Sequence, residues 1–512
     1  MALDAEPALR RSPGITYQEL LDTDSRPVPD VLRLESPRVT APSDVPAERY
    51  TSRAWHELEV ERLWKRVWQF ACREEDIPEV GDHHVYDIAG LSYLIVRTPA
   101  GLKAYPNACL HRGRRLKSFD GHCSELRCPY HGFAWTLDGA LRDVPARWDF
   151  PHIEDDEFGL PAIGVGTWAG FVFINPDPRA APLEEHLAEI AEQFQAWDLA
   201  TYYKEAHVAR IVPANWKIAQ EAFCEAFHVN ATHPQVLPYL GDTNSQVDVW
   251  NNCARVITPG GTPSPLLDEE PTQDEMLRAM FDVRVDEPTP FPIEEGQTMR
   301  AVAAEITRSH WRERIGERAD VFSDAELMDS IDYTVFPNFH PWGGLNRIVY
   351  RFRPNGDDHR SAIMDVLFLA PFRGERPAPA PVHWLADDES WMAAPELGLL
   401  AKVFDQDLAN MAEGDARLDR RLEPALHLPG GQGALAPRQA DGMGHAMNGI
   451  RHPFTGALYE PEGDGFVLVT LGDRSGLFSR AGQWLAGDLR EADVHLCGWT
   501  GSPRAKSVRL ST

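Results

Sequence analysis

The segment YPNACLHRGRRLKSFDGHCSELRCPYHGFAW spans residues 105–135. It contains two Cys/His pairs, Cys109-x-His111 and Cys128-x2-His131, with 16 residues between them. A zinc finger presents a cysteine pair and then a histidine pair. Here each loop offers one thiolate and one imidazole. That donor set suits a two-iron cluster in which two neutral imidazoles replace two thiolates, lowering the negative charge and raising the reduction potential. Gly113 and Gly132 allow tight turns beside the ligands. Pro129 restrains the second loop. His122 and Cys123, between the pairs, form no second matched pair and read as a loop residue and a packed thiol.

Outward from this segment, short apolar runs are cut by turn residues. Val85–Ile88, Ser92–Val96, Phe133–Trp135 and Gly170–Ile174 read as strands of a small all-β unit between Gly81 and Asn175. Before it, the spacing of Leu58, Val60, Leu63, Trp64, Val67 and Trp68 predicts a helix over Glu57–Phe70. After it, Asn175-Pro176-Asp177-Pro178 breaks the pattern and a helical stretch covers Leu183–Trp197. A second unit follows, with a strand near His207–Val212 and a helix capped by Asn215. Residues 265–330 hold 17 acidic and 7 basic side chains and read as a loop-rich acidic stretch. Strands over Arg347–Phe352 and Ala362–Leu369 and a helix over Glu396–Met411 complete that unit. The expected division is an extended proline-rich arm (1–50), a cluster domain (51–180), a catalytic domain (181–420) and a C-terminal extension (421–512) packed on the latter, with short strands such as Gly465–Val469.

A second constellation begins at 215 with NWKIAQEAFCEAFHVNATHP. Glu225 precedes His228 by three residues, so the two share a helix face. His233 follows His228 by five, about 140° away on an ideal helix, so both bind one metal only if the helix ends or distorts. Pro234 makes that plausible. Two histidines need a carboxylate to complete the facial triad of non-haem Fe(II) oxygenases, which leaves positions open for O2. Asp407, in Val403-Phe404-Asp405-Gln406-Asp407-Leu408, is the best candidate and Asp405 the runner-up.

Composition narrows the partners. The chain has 512 residues with 78 acidic and 50 basic side chains, a formal charge of −28. That argues against general nucleic-acid binding. The first residues lack a basic region followed by an apolar core, so no secretory signal is expected. Apolar runs such as Trp168–Ile174 fall far short of the ~20 residues of a membrane helix. Seven cysteines, an odd number, suggest reduced thiols in a cytoplasmic protein, with Cys253 and Cys497 in the core. No nucleotide-binding G-x-G-x-x-G stands between a strand and a helix, so the electron donor is expected to be a separate protein. Arg112, Arg114, Arg115 and Lys117 form a basic run that either attracts an acidic protein partner or is a solvated loop or an intersubunit salt-bridge patch. Phe281, Phe291, Trp311, Phe339 and Trp342 are candidates for the walls of a substrate pocket.

These two constellations resemble the α subunit of Rieske non-haem iron oxygenases, the ring-hydroxylating family. The likeness is specific over about 60–176 and 205–235. It continues more weakly through Phe336-Pro337-Asn338 and Tyr350-Arg351-Phe352-Arg353-Pro354 to Asp407. It implies an α+β fold: an N-terminal all-β Rieske [2Fe-2S] domain and a helix-grip catalytic domain with an antiparallel sheet. It implies that Cys109 and Cys128 bind one iron of the cluster and His111 and His131 the other. His228, His233 and Asp407 would hold a mononuclear Fe(II), and Glu225 would bridge the two centres electronically between neighbouring subunits. The family commonly has Asp where this chain has Glu225, a weak tilt away from dihydroxylation.

The expected activity is that of a terminal oxygenase. It would use O2 and electrons from a ferredoxin or flavin reductase to hydroxylate or dihydroxylate a hydrophobic, aromatic or polycyclic compound. Oxidative O- or N-demethylation is the alternative. The expected assembly is a homotrimer, or a hexamer with a small β subunit. Two competing readings are a Rieske electron carrier without a second iron and a structural zinc protein.

Overall fold

The computed structural model of the chain describes residues 12–37, 45–418 and 449–503, apart from 286, 290, 373 and 464. The first part of the expected arm, and residues 421–448 and 504–512 of the expected extension, lie outside the described residues.

The cluster segment is carried by three small antiparallel sheets. Gly101–Pro106, Leu91–Thr98, Asp82–Ile88 and Gly121–His122 form one, in that order. Gln69–Arg73, Phe171–Asn175 and Gly164–Trp168 form a second. Leu126–Arg127, Ala134–Trp135 and Leu141–Asp143 form a third. Leu94, Val96, Leu116, Phe133 and Trp135 share one buried core with Cys109 and Cys128. The helix expected over Glu57–Phe70 ends early. An α-helix covers Arg53–Glu59, a π turn covers Val60–Trp64, and Gln69–Arg73 is a strand. All five residues of that strand are buried. A short apolar run buried on both faces has no periodicity that separates strand from helix.

The second unit is built on a five-stranded sheet ordered His340–Pro341, Ile348–Asn355, Asp358–Pro371, Tyr202–Val212, His383–Trp384. It is antiparallel except for its short last pair. A three-stranded sheet, Gln246–Val249, Cys253–Thr258 and Ser330–Val335, accompanies it. Trp216 and Ala219, from the helix Trp216–Glu221, and Phe404, from Leu400–Leu418, pack on Val208, Tyr350 and Phe352 of the larger sheet. This is the α+β arrangement expected, a β cluster domain followed by a sheet holding helices.

One core runs through both units, with Trp64, Tyr86 and Ile88 packed against Val208 and Phe352. Asn338 clamps the joint. It accepts from the Phe70 N–H (3.0 Å) and donates to the Phe70 carbonyl (3.2 Å) and the Tyr86 hydroxyl (3.1 Å). Arg351 donates to the Ala71 carbonyl and pairs with Asp365 at 3.0 Å.

The acidic stretch 265–330 is loop only in part. It contains helices Gln273–Met280, Met299–Ile315 and Asp324–Met328. Some of its charges are paired inward. Arg300 lies between Asp329 (2.6 Å) and Asp24 (3.0 Å), and Arg308 pairs with Asp324 (2.9 Å), all five side chains being buried. Asp24 comes from the N-terminal segment, whose helices Tyr17–Leu21 and Asp30–Arg33 lie on this unit. Arg255 holds that segment through the Val31 and Leu34 carbonyls.

The C-terminal strands Ile450–Arg451, Leu458–Pro461, Phe466–Leu471, Arg474–Ser479 and Trp484–Gly487 form an antiparallel meander with its own core. The helix Val494–Gly501 joins it to Leu400–Leu418, where Lys402 donates to the Trp499 carbonyl (3.4 Å) and Gln406 to the His495 carbonyl (3.2 Å). All seven cysteines are free, and Cys253 and Cys497 are buried as expected. Among the described residues, no helix is long and apolar enough to cross a membrane.

Candidate active site and metal centres

Asn215 caps the helix Trp216–Glu221 by accepting from the Lys217 N–H at 3.0 Å. The helix then ends at Glu221, and a new single turn covers Val229–Thr232. His228 and His233 bracket that turn, one at each end. The distortion needed to bring them together is therefore a break, and their rings lie 5.3 Å apart.

The helix Leu400–Leu418 supplies the third donor. Asp407 Oδ1 is 2.8 Å from His233 Nε2 and 3.6 Å from His228 Nε2. The three donor atoms lie within 4.8 Å of one another, a spacing a single ion can span. Asp405 faces elsewhere, accepting from the Ser390 hydroxyl and from the Trp391 N–H at 2.9 Å. Both outer ring nitrogens are engaged. His228 Nδ1 meets Glu225 Oε1 at 2.7 Å, and His233 Nδ1 meets Gln406 Oε1 at 2.8 Å. A proton held on each Nδ1 leaves both Nε2 lone pairs free to converge, as metal-ligating histidines require. Burial disfavours a charged His228, but Glu225 and Asp407 outweigh it and raise its pKa. A metal ion would take the place of that proton. Glu225 also accepts from the His228 N–H, and its side chain remains 41 % exposed.

The two cluster loops repeat one turn. In each, the cysteine N–H donates to the carbonyl five residues on, Cys109 to Arg114 and Cys128 to Phe133, both at 2.8 Å. In each, the glycine four residues on donates back to the cysteine carbonyl, with φ of +69° at Gly113 and +82° at Gly132. Such backbone angles favour glycine. Ligand spacing differs by one residue between the loops, yet both cysteines are buried and the His111 and His131 rings lie 4.7 Å apart. Burial pushes the Cys109 thiol up; the His111 N–H opposes this and the facing Cys128 thiol adds to it. Two buried thiols beside two imidazoles, one with its Nδ1 buried and unpartnered, fit a cluster. Among the described residues, only His228, His233 and Asp407 converge closely enough for one ion. Donors divided into a thiol pair and an imidazole pair suit two irons better than one zinc.

Residues 67–154 match the family model of the Rieske [2Fe-2S] domain, and residues 194–414 that of the ring-hydroxylating α subunit catalytic domain. The chain belongs to the Rieske oxygenase α subunits. This family carries a Rieske [2Fe-2S] cluster and a mononuclear non-haem iron. The carnitine monooxygenase oxygenase subunit of Escherichia coli is 31 % identical over 194 residues, 37 % of this chain and 52 % of that protein. The biphenyl 2,3-dioxygenase α subunit of Rhodococcus jostii is 30 % identical over 191 residues, 36 % and 42 % of the two chains. The chain thus spans about half the length of the curated relatives it matches. A solved quaternary ammonium Rieske monooxygenase shares the fold with a TM-score of 0.52 at 18 % identity, over 75 % of this chain and 87 % of that one. Naphthalene 1,2-dioxygenase with indole bound does so with a TM-score of 0.51 at 16 % identity, over 75 % and 83 %.

A cavity adjoins the candidate triad. Its volume is about 290 Å³, and Phe223, Val229, Val236, Leu240 and Val403 are among its walls. Of the five aromatics expected there, Trp342 alone lines it. Phe339 meets Phe171 and Phe173 edge-on in the joint between units, at 4.8 and 5.2 Å. Trp311 packs with Ala319 and Leu345, and Phe281 packs on Phe291 at 5.5 Å. Spacing along the chain carries no information about which aromatic faces a cavity. Two residues of this candidate site escaped the sequence reading: Gln406, whose only signal is its place beside Asp407, and Asp332, a polar residue between Ile331 and Tyr333 in a buried strand.

Proposed function

We propose that the chain is the terminal oxygenase of a multicomponent Rieske system, acting on a hydrophobic organic compound by hydroxylation or oxidative demethylation. One observation carries this reading. Two histidines with partnered outer nitrogens converge with a buried carboxylate at the wall of a largely apolar cavity. In this reading Cys109, His111, Cys128 and His131 hold the cluster, and His228, His233 and Asp407 hold the mononuclear iron. When bound, these groups supply single electrons and O2 activation, the triad leaving coordination positions open. The chain's own work is to fix both imidazole tautomers through Glu225 and Gln406, to exclude bulk water with the apolar wall and to orient the substrate.

Glu225 is the proposed electron bridge. Its carboxylate grips His228 on one side and is partly exposed on the other, which supports contact with a Rieske histidine of a neighbouring subunit in a homotrimer, or in a hexamer with a β subunit. A related quaternary ammonium monooxygenase structure is described in terms of inter-subunit electron transfer. The electron donor would be a ferredoxin or flavin reductase in the cytoplasm, a reducing compartment in keeping with seven free thiols. The proposed division is an arm (1–50), a Rieske domain (51–180), a catalytic domain (181–420) and a C-terminal extension (421–512).

The test combines iron analysis with turnover. About three irons per chain, and substrate-dependent O2 uptake with a surrogate reductase, support the reading. Two irons and no product would favour an electron carrier. A colourless zinc protein would refute both. Product mass across a hydrophobic substrate panel separates one added oxygen, two added oxygens and loss of a methyl group.

A further inference from the structure

The cavity wall contains a carboxylate with nothing to hold. Asp332 lies in the strand Ser330–Val335, is 8 % exposed, and lines the cavity. Its Oδ1 has no hydrogen-bond partner among the described residues. Burial alone raises its pKa well above the carboxylate range, with no neighbouring cation to offset it. Directly across the sheet is Trp342, whose Nε1–H is also buried and unpartnered, and whose ring meets Tyr350 edge-on at 5.9 Å. Tyr239, Phe223 and Phe404 add further aromatic wall. Among the described residues no lysine or arginine lines this cavity, and its acidic groups are Glu225, Asp332 and Asp407.

Buried carboxylates in folded proteins are almost always paired or hydrogen-bonded, so an unpaired one in a ligand cavity points to a partner that arrives with the ligand. A positive charge answers both features of this wall. It pairs with a carboxylate at low dielectric and is attracted to aromatic rings.

We propose that Asp332 is the specificity-determining contact for a substrate with a cationic nitrogen, an ammonium group seated against its carboxylate beside Trp342 and Tyr350. The apolar remainder of the substrate would occupy the Val236–Leu240 and Val403 side. This rests on the reading that the cavity beside the triad is the substrate pocket.

The test uses two probes of one shape, choline and its uncharged carbon analogue 3,3-dimethylbutan-1-ol, titrated calorimetrically into the iron-loaded full chain. Choline is expected to bind at least tenfold more tightly. Asp332→Asn should lose at least tenfold for choline and less than threefold for the alcohol, while Asp332→Glu keeps the preference. Circular dichroism and melting temperature of both variants check that they fold. Equal binding of the probes, binding of neither, preference for the alcohol, or an Asp332→Asn variant that binds choline normally would each overturn the proposal. Iron content and O2 uptake in the same preparations separate the two readings. Choline preference without iron sinks the oxygenase reading alone, and O2 uptake stimulated by neutral compounds only sinks this one alone.

Discussion

Gln406 Oε1 lies 2.8 Å from His233 Nδ1, and the next residue along the helix, Asp407, lies 2.8 Å from the same ring's Nε2. One helix thus holds both nitrogens of one imidazole. Gln406 is itself fixed by Gln235 (2.9 Å) and by the His495 carbonyl of the C-terminal helix. Gln406→Ala should therefore weaken mononuclear iron binding by about 10–100-fold, the usual cost of losing such an outer partner. Chelator competition measures it, and the colour of the Rieske centre should not change.

Asp407→Ala should lower iron from about three to about two per chain while the cluster's visible absorption survives. Asp405→Ala should leave the iron count intact. Its cost is to stability, about 1.5–3 kcal/mol for losing the bonds from Ser390 and the Trp391 N–H. Metal analysis beside a melting curve separates the two carboxylates.

Glu225→Gln keeps an acceptor for His228 Nδ1–H but loses the charge. If Glu225 links the centres, turnover should fall about 10–100-fold while both metal centres stay loaded. Single-turnover kinetics of the pre-reduced protein would locate the loss in the transfer of an electron between centres.

Asp365 is buried among Arg351 (3.0 Å), Arg353 (3.2 Å) and His207 (2.9 Å). Burial pushes its pKa up, but the two guanidiniums and the imidazole outweigh it and hold it well below the ordinary value. A depressed carboxyl stabilises the fold above its unfolded pKa of about 3.9. That contribution is lost as pH falls from there through the folded value. Asp365→Asn should cost about 3–5 kcal/mol at neutral pH, since it leaves buried cations unpaired. In urea unfolding between pH 3 and 7, the gap between the variant and the parent protein should narrow at the acid end.

Asn338→Ala removes three hydrogen bonds from the joint between the cluster and catalytic units. The Phe70 N–H would then be buried without an acceptor, at about 1–3 kcal/mol. A lowered melting temperature with an unchanged iron count is the expected result.

The chain by itself determined the donors that lie close together along it. Cys109, His111, Cys128 and His131 occupy two short loops whose glycines set the turn, and His228 and His233 bracket one helical turn that follows the end of an Asn-capped helix. Such geometry is local, so residue order carries it. Tertiary structure alone decided the rest. Asp405 and Asp407 are two residues apart, about 200° around a helix, and only the packing of that helix turns Asp407 to the histidines and Asp405 to Trp391. Within the acidic stretch 265–330, only the tertiary packing folds Arg300 and Arg308 inward onto Asp24, Asp329 and Asp324. Asp332 stands out because, among the described residues, no hydrogen-bond partner faces its Oδ1, and the absence of a neighbour is a property of three-dimensional packing that no order of residues records.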